Sequence, residues 1–202
     1  MHRRSPPPPR TRVLRLLSGR LGVVVIAVLV LAAMGGTALV LLGGRSDDGR
    51  SETGQEAPSS PAGTFFRVKA LGVAGIRPPR WRLKRSRRAV RLTSLDRAGL
   101  VAISTAPPSV SAGALMTSTL AAVDRSYRKA TLSRRRRADF GGRPGSAVSG
   151  AVTNSRGVRL DLLVSTAKGP RRTYLLQVFV ARAAGLRLRQ AQALVNSLEI
   201  SG

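Results

Sequence analysis

The feature that most constrains this chain is an uncharged run of 24 residues near its N-terminus, from Leu21 to Gly44. An α-helix rises about 1.5 Å per residue, so roughly 20 apolar residues cross the hydrocarbon core of a bilayer. The apolar region of a cleaved signal peptide is shorter, about 7–15 residues, although LAAMGG within the run leaves cleavage as the alternative. A buried core helix of this length is rarely apolar on every side. The run therefore predicts a transmembrane signal-anchor helix at 21–44.

The charges on either side of this run predict its orientation. Residues 1–20 carry six arginines and no acidic residue, whereas residues 43–63 carry two arginines and four acidic residues. Segments rich in Lys and Arg stay on the cytoplasmic side of a membrane. We therefore expect 1–20 to be a basic, Pro- and Arg-rich cytoplasmic tail, and the chain after the run to lie outside the cytoplasm. The predicted location is the cell membrane, crossed once.

The segment that follows the run has the composition of a flexible linker. Residues 45–63 are rich in Gly, Ser, Pro and acidic residues and contain no large apolar residue. Such a segment cannot bury enough apolar surface to offset the entropy lost on ordering. Its root-mean-square span as a flexible coil is about 25 Å. The linker would therefore keep residues 64–202 close to the bilayer, as an extracytoplasmic domain.

Apolar periodicity in 64–202 predicts an α+β domain. Apolar residues that alternate with polar ones, or form short apolar runs, predict strands. Apolar residues at helical spacing predict two helices, and NSRG at 154–157 predicts a hairpin turn. The predicted strands are 89–93, 100–104, 158–165 and 173–181, and the predicted helices are 111–129 and 187–198. The order strands, helix, strands, helix is typical of a mainly antiparallel sheet with helices packed on it.

This order of elements, more than any single motif, resembles the PsbP-like family, and several short segments fit it. They are GIRPPRW at 75–81, FGGRPG at 140–145, the strand pair GVRLDLLVS and RRTYLLQVFVA, and the closing helix AQALVNSLEIS. The family includes PsbP and a nuclear-import factor that binds Ran. The resemblance covers 64–202 and implies an α/β/α sandwich that binds or scaffolds and has no catalytic residues, with Trp81 as a structural position. Domains of this family are not usually so basic.

The residue inventory argues against catalysis. The chain has no cysteine, and its one histidine is His2, so residues 64–202 lack the commonest general base and the commonest transition-metal ligands. The five acidic residues of 64–202 are scattered, and most neighbour an arginine, which predicts ion pairs and not a carboxylate dyad. FGGRPG lacks the Lys-Ser/Thr of a phosphate-binding loop and predicts a turn. We expect a non-enzymatic domain with no cofactor and no metal.

Positive charge is the strongest functional signal in the sequence. Residues 64–202 carry 27 basic and five acidic residues, a net charge of +22. The run SRRRRADF at 133–140 would send alternate arginines to opposite faces of a strand, so it predicts an edge strand or a loop. The candidate anion-binding residues are Arg80, Arg82, Lys84, Arg85, Arg87, Arg88, Arg134, Arg135, Arg136, Arg137, Arg171 and Arg172.

A second interpretation assigns this charge no function. Arginine outnumbers lysine 31 to 4, which resembles the codon bias of a high-GC, actinobacterial-type genome. Arginines fixed by such a bias could simply be solvated surface residues. The sequence leaves both interpretations open.

The predicted location narrows the partners of a basic domain. Outside a bacterial cytoplasm the abundant polyanions are phospholipid headgroups and cell-wall polymers. Each basic residue contributes about 1 kcal/mol near an anionic membrane, within a Debye length of about 8 Å. We expect binding to one of these polyanions, with docking to an envelope protein as the alternative. Extracellular nucleic acid is disfavoured, because few aromatic residues stand between the basic ones.

Overall fold

A computed structural model describes residues 63–201 of the chain. The predicted tail at 1–20, the predicted span at 21–44 and the predicted linker, apart from Gly63, lie outside the described residues. No helix within 63–201 combines the length and the apolar character needed to cross a bilayer.

The described residues contain eleven strands, two α-helices and one short 3-10 helix. The strands are β1 Thr64–Val68, β2 Val73–Arg77, β3 Trp81–Arg85, β4 Ala89–Ser94, β5 Gly99–Ala106, β6 Lys129–Leu132, β7 Arg136–Phe140, β8 Arg143–Thr153, β9 Arg159–Lys168, β10 Thr173–Ala181 and β11 Glu199–Ile200. The helices are α1 Ala112–Ser126 and α2 Gly185–Asn196, and the 3-10 helix is Lys69–Leu71. The predicted order of strands, helix, strands, helix is confirmed.

The strands form two antiparallel sheets. The large sheet has the order β3-β4-β5-β10-β9-β8-β6, with β7 also paired to β8, and the small sheet has the order β1-β2-β11. Strand β10 lies between β5 and β9, and all nine of its residues are buried. The predicted strand at 173–181 is therefore a central strand covered on both faces, which explains why its sequence TYLLQVFVA is largely apolar on both faces.

Alternate residues of β10 belong to two separate hydrophobic cores. Leu175 and Phe179 pack under α1, whereas Leu176 and Val178 pack under α2 and the small sheet. Side chains of a strand point alternately to opposite faces, so the two helices cover opposite faces of the large sheet. We call these the α1 face and the α2 face. The result is a three-layer α/β/α sandwich.

Helix α1 begins where the sequence predicts but ends three residues before the predicted end. The hydroxyl of Ser111 accepts a hydrogen bond from the Ala114 amide at 3.1 Å, which satisfies one of the free donors of the first turn. The predicted helix extends to residue 129, but the backbone becomes extended at Tyr127. The reason is strand pairing, because β6 begins at Lys129 and pairs with Thr153 at the end of β8.

Two turns that the sequence predicts are present. In the FGGRPG turn between β7 and β8, Gly141 and Gly142 have φ angles of 60° and 73°, which glycine adopts at little cost. In the NSRG turn between β8 and β9, the Asn154 side-chain oxygen accepts hydrogen bonds from the amides of Arg156 and Val158, both at 3.0 Å. The first turn joins the β7–β8 pair, and the second joins the long β8–β9 hairpin.

Gly72 offers a test of how the small sheet closes. It has a φ angle of 65°, and a Cβ atom there would lie 2.1 Å from the carbonyl oxygen of Ser201. We expect Gly72→Ala to lower the free energy of unfolding by more than about 2 kcal/mol, because β11 must shift in addition to the left-handed strain.

Gly142→Ala is the matched control. Its φ angle is 73°, but an added Cβ would have no atom within 4 Å, so the strain alone should cost about 1–2 kcal/mol. Urea denaturation of the two variants measures the difference. Equal losses of unfolding free energy in Gly72→Ala and Gly142→Ala would show that the close approach of Gly72 to Ser201 does not add to the cost.

Candidate anion-binding surface

The twelve predicted anion-binding residues lie in three parts of the fold. Six belong to the β3–β4 hairpin and the residue before it, four lie along the β6–β7 edge, and two are in the turn between β9 and β10. Eleven of the twelve are exposed, and Arg172 is half-buried. Their charges are therefore accessible to a ligand, but the three groups do not form one continuous patch.

Two of the three groups meet at one end of the large sheet. The Arg88 carbonyl accepts a hydrogen bond from the Thr105 amide at 3.0 Å, and the next residue, Ala106, pairs with Thr173. The residues that precede β4 and β10 therefore lie at nearly the same height along the strand direction of the sheet. Only β5 lies between these strands, so they are about 10 Å apart. We define the turn end as Arg85, Arg87, Arg88, Arg171 and Arg172.

The turn end carries positive charge that nearby loops do not balance. The loops 86–88, 107–111 and 169–172 contain no acidic residue. The guanidinium of Arg172 donates a hydrogen bond to the Ala70 carbonyl, which fixes the β9–β10 turn against the 3-10 helix. Lys69, in the same 3-10 helix, and Lys168, at the end of β9, are exposed beside it. A ligand with several negative charges would meet only cations here.

The four-arginine run lies on the opposite edge of the large sheet. Strand β7 pairs only with β8, which confirms an edge position for Arg136 and Arg137, while Arg134 and Arg135 link β6 to β7. Five strand spacings, roughly 24 Å, separate β7 from β4, and three, roughly 14 Å, separate it from β10. This run is therefore not part of the turn end.

The run also divides between the two faces of the sheet. The Arg135 side chain donates a hydrogen bond to the Ser146 hydroxyl at 2.8 Å on the α1 face. Arg136 lines a groove on the α2 face. The alternation that the sequence suggests is therefore present, and the run does not form a single cationic surface.

Trp81 has the structural position that the PsbP-like resemblance implies. It is 3% exposed, and its indole nitrogen donates a hydrogen bond to the Gln190 side-chain oxygen at 2.9 Å. Arg187 donates to the same oxygen at 2.8 Å and to the Asp96 carboxylate at 2.7 Å. These bonds connect β3, the β4–β5 turn and α2, so the charge of Arg187 is used within the fold.

Asp96 confirms an ion pair for one of the five acidic residues of 64–202. Burial raises the pKa of its carboxyl group, but hydrogen bonds from Ser94, Arg187 and the Ala98 amide outweigh burial and lower the pKa below its usual value. The partner Arg187 is 91 residues away in sequence, so neighbouring residues could not identify it. Within 63–201 no three His, Cys, Asp or Glu side chains come together as a metal site.

A groove beside α2 is a feature that the sequence does not reveal. Its volume is about 390 Å³, and its apolar lining includes Leu163 and Val178 from the sheet and Val195 from α2. Helix α2 packs against β10, β5 and β2, so part of the sheet near β8 and β9 stays uncovered on this face. Pockets of this size are typical of small-ligand sites.

Comparison with known proteins places the fold. No family model matches the sequence, and no curated protein matches it either. The solved structure of CyanoP, the cyanobacterial PsbP of Synechocystis sp. PCC 6803, is similar with a TM-score of 0.53 and 12% identity, over 73% of this chain and 98% of CyanoP. LpqN, a protein involved in cell envelope biogenesis of Mycobacterium tuberculosis, matches with a TM-score of 0.46 and 13% identity, over 71% of this chain and 88% of LpqN. The match to nearly all of CyanoP shows that the domain described here has a PsbP-like fold.

Proposed function

We propose that this chain is a single-pass membrane protein of a high-GC bacterium's envelope, whose PsbP-like domain binds anionic phospholipid headgroups without catalysing a reaction. The observation that carries the proposal is the turn end, where two arginine-bearing turns meet beside loops without acidic residues. The uncharged run at 21–44 supports the membrane anchor, and the charges that flank it support an extracytoplasmic domain.

The spacing of the turn end suits a flat anionic surface. Its two turns are about 10 Å apart, so a single membrane plane can lie within a Debye length of both. Each basic residue close to such a surface contributes about 1 kcal/mol. The five arginines together therefore supply enough free energy to hold a tethered domain on a bilayer, and their effect falls as salt rises.

The attachment point of the linker allows this orientation. The 3-10 helix that contacts Arg172 follows β1 directly, so Thr64 starts about 17 Å from the turn end along a five-residue strand. The predicted linker spans about 25 Å as a flexible coil. The turn end can therefore reach the bilayer in which residues 21–44 would be anchored.

Co-sedimentation of residues 63–202 with liposomes tests the proposal. A cooperative thermal transition of this fragment is established first. We expect binding to phosphatidylglycerol vesicles that falls steeply between low and high salt, because the interaction is electrostatic, and no binding to phosphatidylcholine vesicles. Absence of binding to anionic vesicles at physiological salt would overturn the proposal.

Soluble polyanions provide the comparison that separates headgroups from other partners. Heparin and single-stranded DNA are added to the vesicle assay at matched concentrations of negative charge. If the partner is a plane of headgroups, neither polymer should displace the domain from the sedimenting vesicles as well as an equal charge of added phosphatidylglycerol vesicles does. Equal competition by heparin would indicate a cell-wall polymer, and stronger competition by DNA would indicate nucleic acid.

A further inference from the structure

Two buried nitrogen atoms of this domain have no hydrogen-bond acceptor among the residues described. They are Nε of Arg91, in β4, and Nε2 of Gln177, in β10. Gln177 is 1% exposed, and Arg91 is half-buried. Buried N–H groups are almost always paired, so each unpaired one calls for an explanation such as a bound water or ion.

The register of the large sheet places these two donors on one row. Arg91 pairs with Ala102 of β5, and Ala102 pairs in turn with Gln177. Paired residues of antiparallel strands project from the same face. Leu100 and Phe179, two residues along from Ala102 and Gln177, pack in the core under α1, so the row lies on the α1 face.

The middle of the row carries a short side chain between the two donors. The backbones of β4 and β10 are about 10 Å apart at this point, and the residue between them ends in a single methyl group. Two long side chains therefore flank a short one, Ala102. Ala102 is 2% exposed, so the row is covered in this structure. A group of a few atoms would reach both Arg91 and Gln177 only after the side chains above Ala102 move aside.

The row opens to solvent at its other end. Lys84 of β3 pairs with Arg91 and is exposed. Arg82, two residues earlier in β3, projects from the same face and is also exposed. An anionic ligand could therefore enter past Lys84 and stay close to basic side chains until it reaches Arg91.

Arg91 has no counter-charge within the described residues. None of the acidic side chains of 63–201 lies within ion-pair distance of it, and Asp96 is paired with Arg187 instead. Burial lowers the pKa of Arg91, which reflects the cost of removing its charge from water. An anion from outside the chain would offset that cost and would also accept the unpaired N–H groups.

We infer that Arg91 and Gln177 form the inner half, and Lys84 the outer edge, of a binding site for a single oxyanion, either a phosphate or a carboxylate. The planar guanidinium of Arg91 donates in a fork that matches the oxygens of both groups. Gln177 contributes a neutral donor from the buried end. The site is separate from the turn end, so this inference goes beyond the proposed function and can fail while vesicle binding persists.

Side-chain NMR of the full chain in dodecyl maltoside micelles tests the site. The Arg91 Nε–Hε signal is assigned from its loss in Arg91→Lys. Inorganic phosphate and acetate are then titrated separately at constant ionic strength, with chloride as the balancing anion. We expect a saturable shift of the Arg91 signal and of the Gln177 amide signals with at least one of the two oxyanions.

Two variants distinguish oxyanion binding at Arg91 and Gln177 from a general effect of salt on the NMR signals. Gln177→Leu should weaken oxyanion binding by about tenfold or more, because a hydrogen bond to a charged group is lost. Arg125→Gln, at an exposed position of α1, should leave binding unchanged. Thermal melting confirms that each variant is folded.

Several outcomes would overturn the inference. Shifts that do not saturate, or that are equal with chloride, would indicate an adventitious ion only. Saturable shifts that Gln177→Leu leaves unchanged would contradict a shared site. A higher melting temperature of Gln177→Leu without any oxyanion response would mean that the amide is simply an unpaired core group.

Vesicles separate the two sources of the oxyanion. Phosphatidylglycerol vesicles that shift the Arg91 signal and compete with phosphate would identify a lipid headgroup as the source. A phosphate response without competition would identify a free anion. If vesicles bind the chain and neither oxyanion affects Arg91, this inference fails and the proposed function stands.

Discussion

Replacing Trp81 with alanine is expected to lower the free energy of unfolding by about 3–5 kcal/mol. The side chain is 3% exposed and lies in the core between the large sheet, α2 and the small sheet. Its removal would leave a cavity in a core held in place on three sides. It would also take one donor from the Gln190 side-chain oxygen and weaken the connection between β3 and α2. Trp81 is the single tryptophan of the chain, so its replacement removes the tryptophan fluorescence signal. Urea denaturation monitored by circular dichroism therefore measures the loss of stability.

Trp81→Phe is the control that separates packing from hydrogen bonding. Phenylalanine keeps an aromatic ring in the core and removes the N–H group, so we expect a loss of only about 1–2 kcal/mol. The ring of Trp81 also packs directly on Gly99, where an added Cβ would lie 2.7 Å from it. If both variants lose the same stability, the hydrogen bond to Gln190 accounts for the effect and the core packing does not.

The elements that the sequence predicts well are those with strong local patterns. Strand β10 is recognisable because most of its positions on both faces are apolar, and both helices are recognisable from stripes at helical spacing. Strand β11 is different, because Glu199–Ile200 is too short to show a period. It exists through pairing with β2, more than 120 residues earlier in the chain. Such pairing depends on the packed structure and leaves no local signal.

The candidate sites show the same limit. Counting arginines identifies the clusters but not which of them meet, because that depends on the strand order β4-β5-β10. The run at 134–137 has the densest charge in the sequence, yet the fold divides it between two faces. Arg91 and Gln177 are 86 positions apart and become neighbours only through their shared partner Ala102. No sequence pattern could indicate that row.

Neutralising the turn end is expected to weaken binding to anionic vesicles by roughly 10³-fold. The variant changes four arginines to glutamine, and each contributes about 1 kcal/mol near the membrane. Arg172 is kept, because its hydrogen bond to the Ala70 carbonyl holds the β9–β10 turn in place. Vesicle co-sedimentation at physiological salt measures the change. The four substituted residues are Arg85, Arg87, Arg88 and Arg171.

The matched control changes the four arginines at 134–137 to glutamine. This variant loses the same net charge from the opposite edge of the sheet, which lies roughly 14 Å from β10 and roughly 24 Å from β4. Both distances exceed a Debye length of about 8 Å, so we expect binding to fall less than tenfold. Comparable melting temperatures show that both variants are folded. If both weaken binding equally, the membrane responds to the total charge of the domain and the turn end is not a site. That result would favour codon bias as the origin of the individual arginines, whereas a loss confined to the turn end would mean that the fold places a few of them for binding.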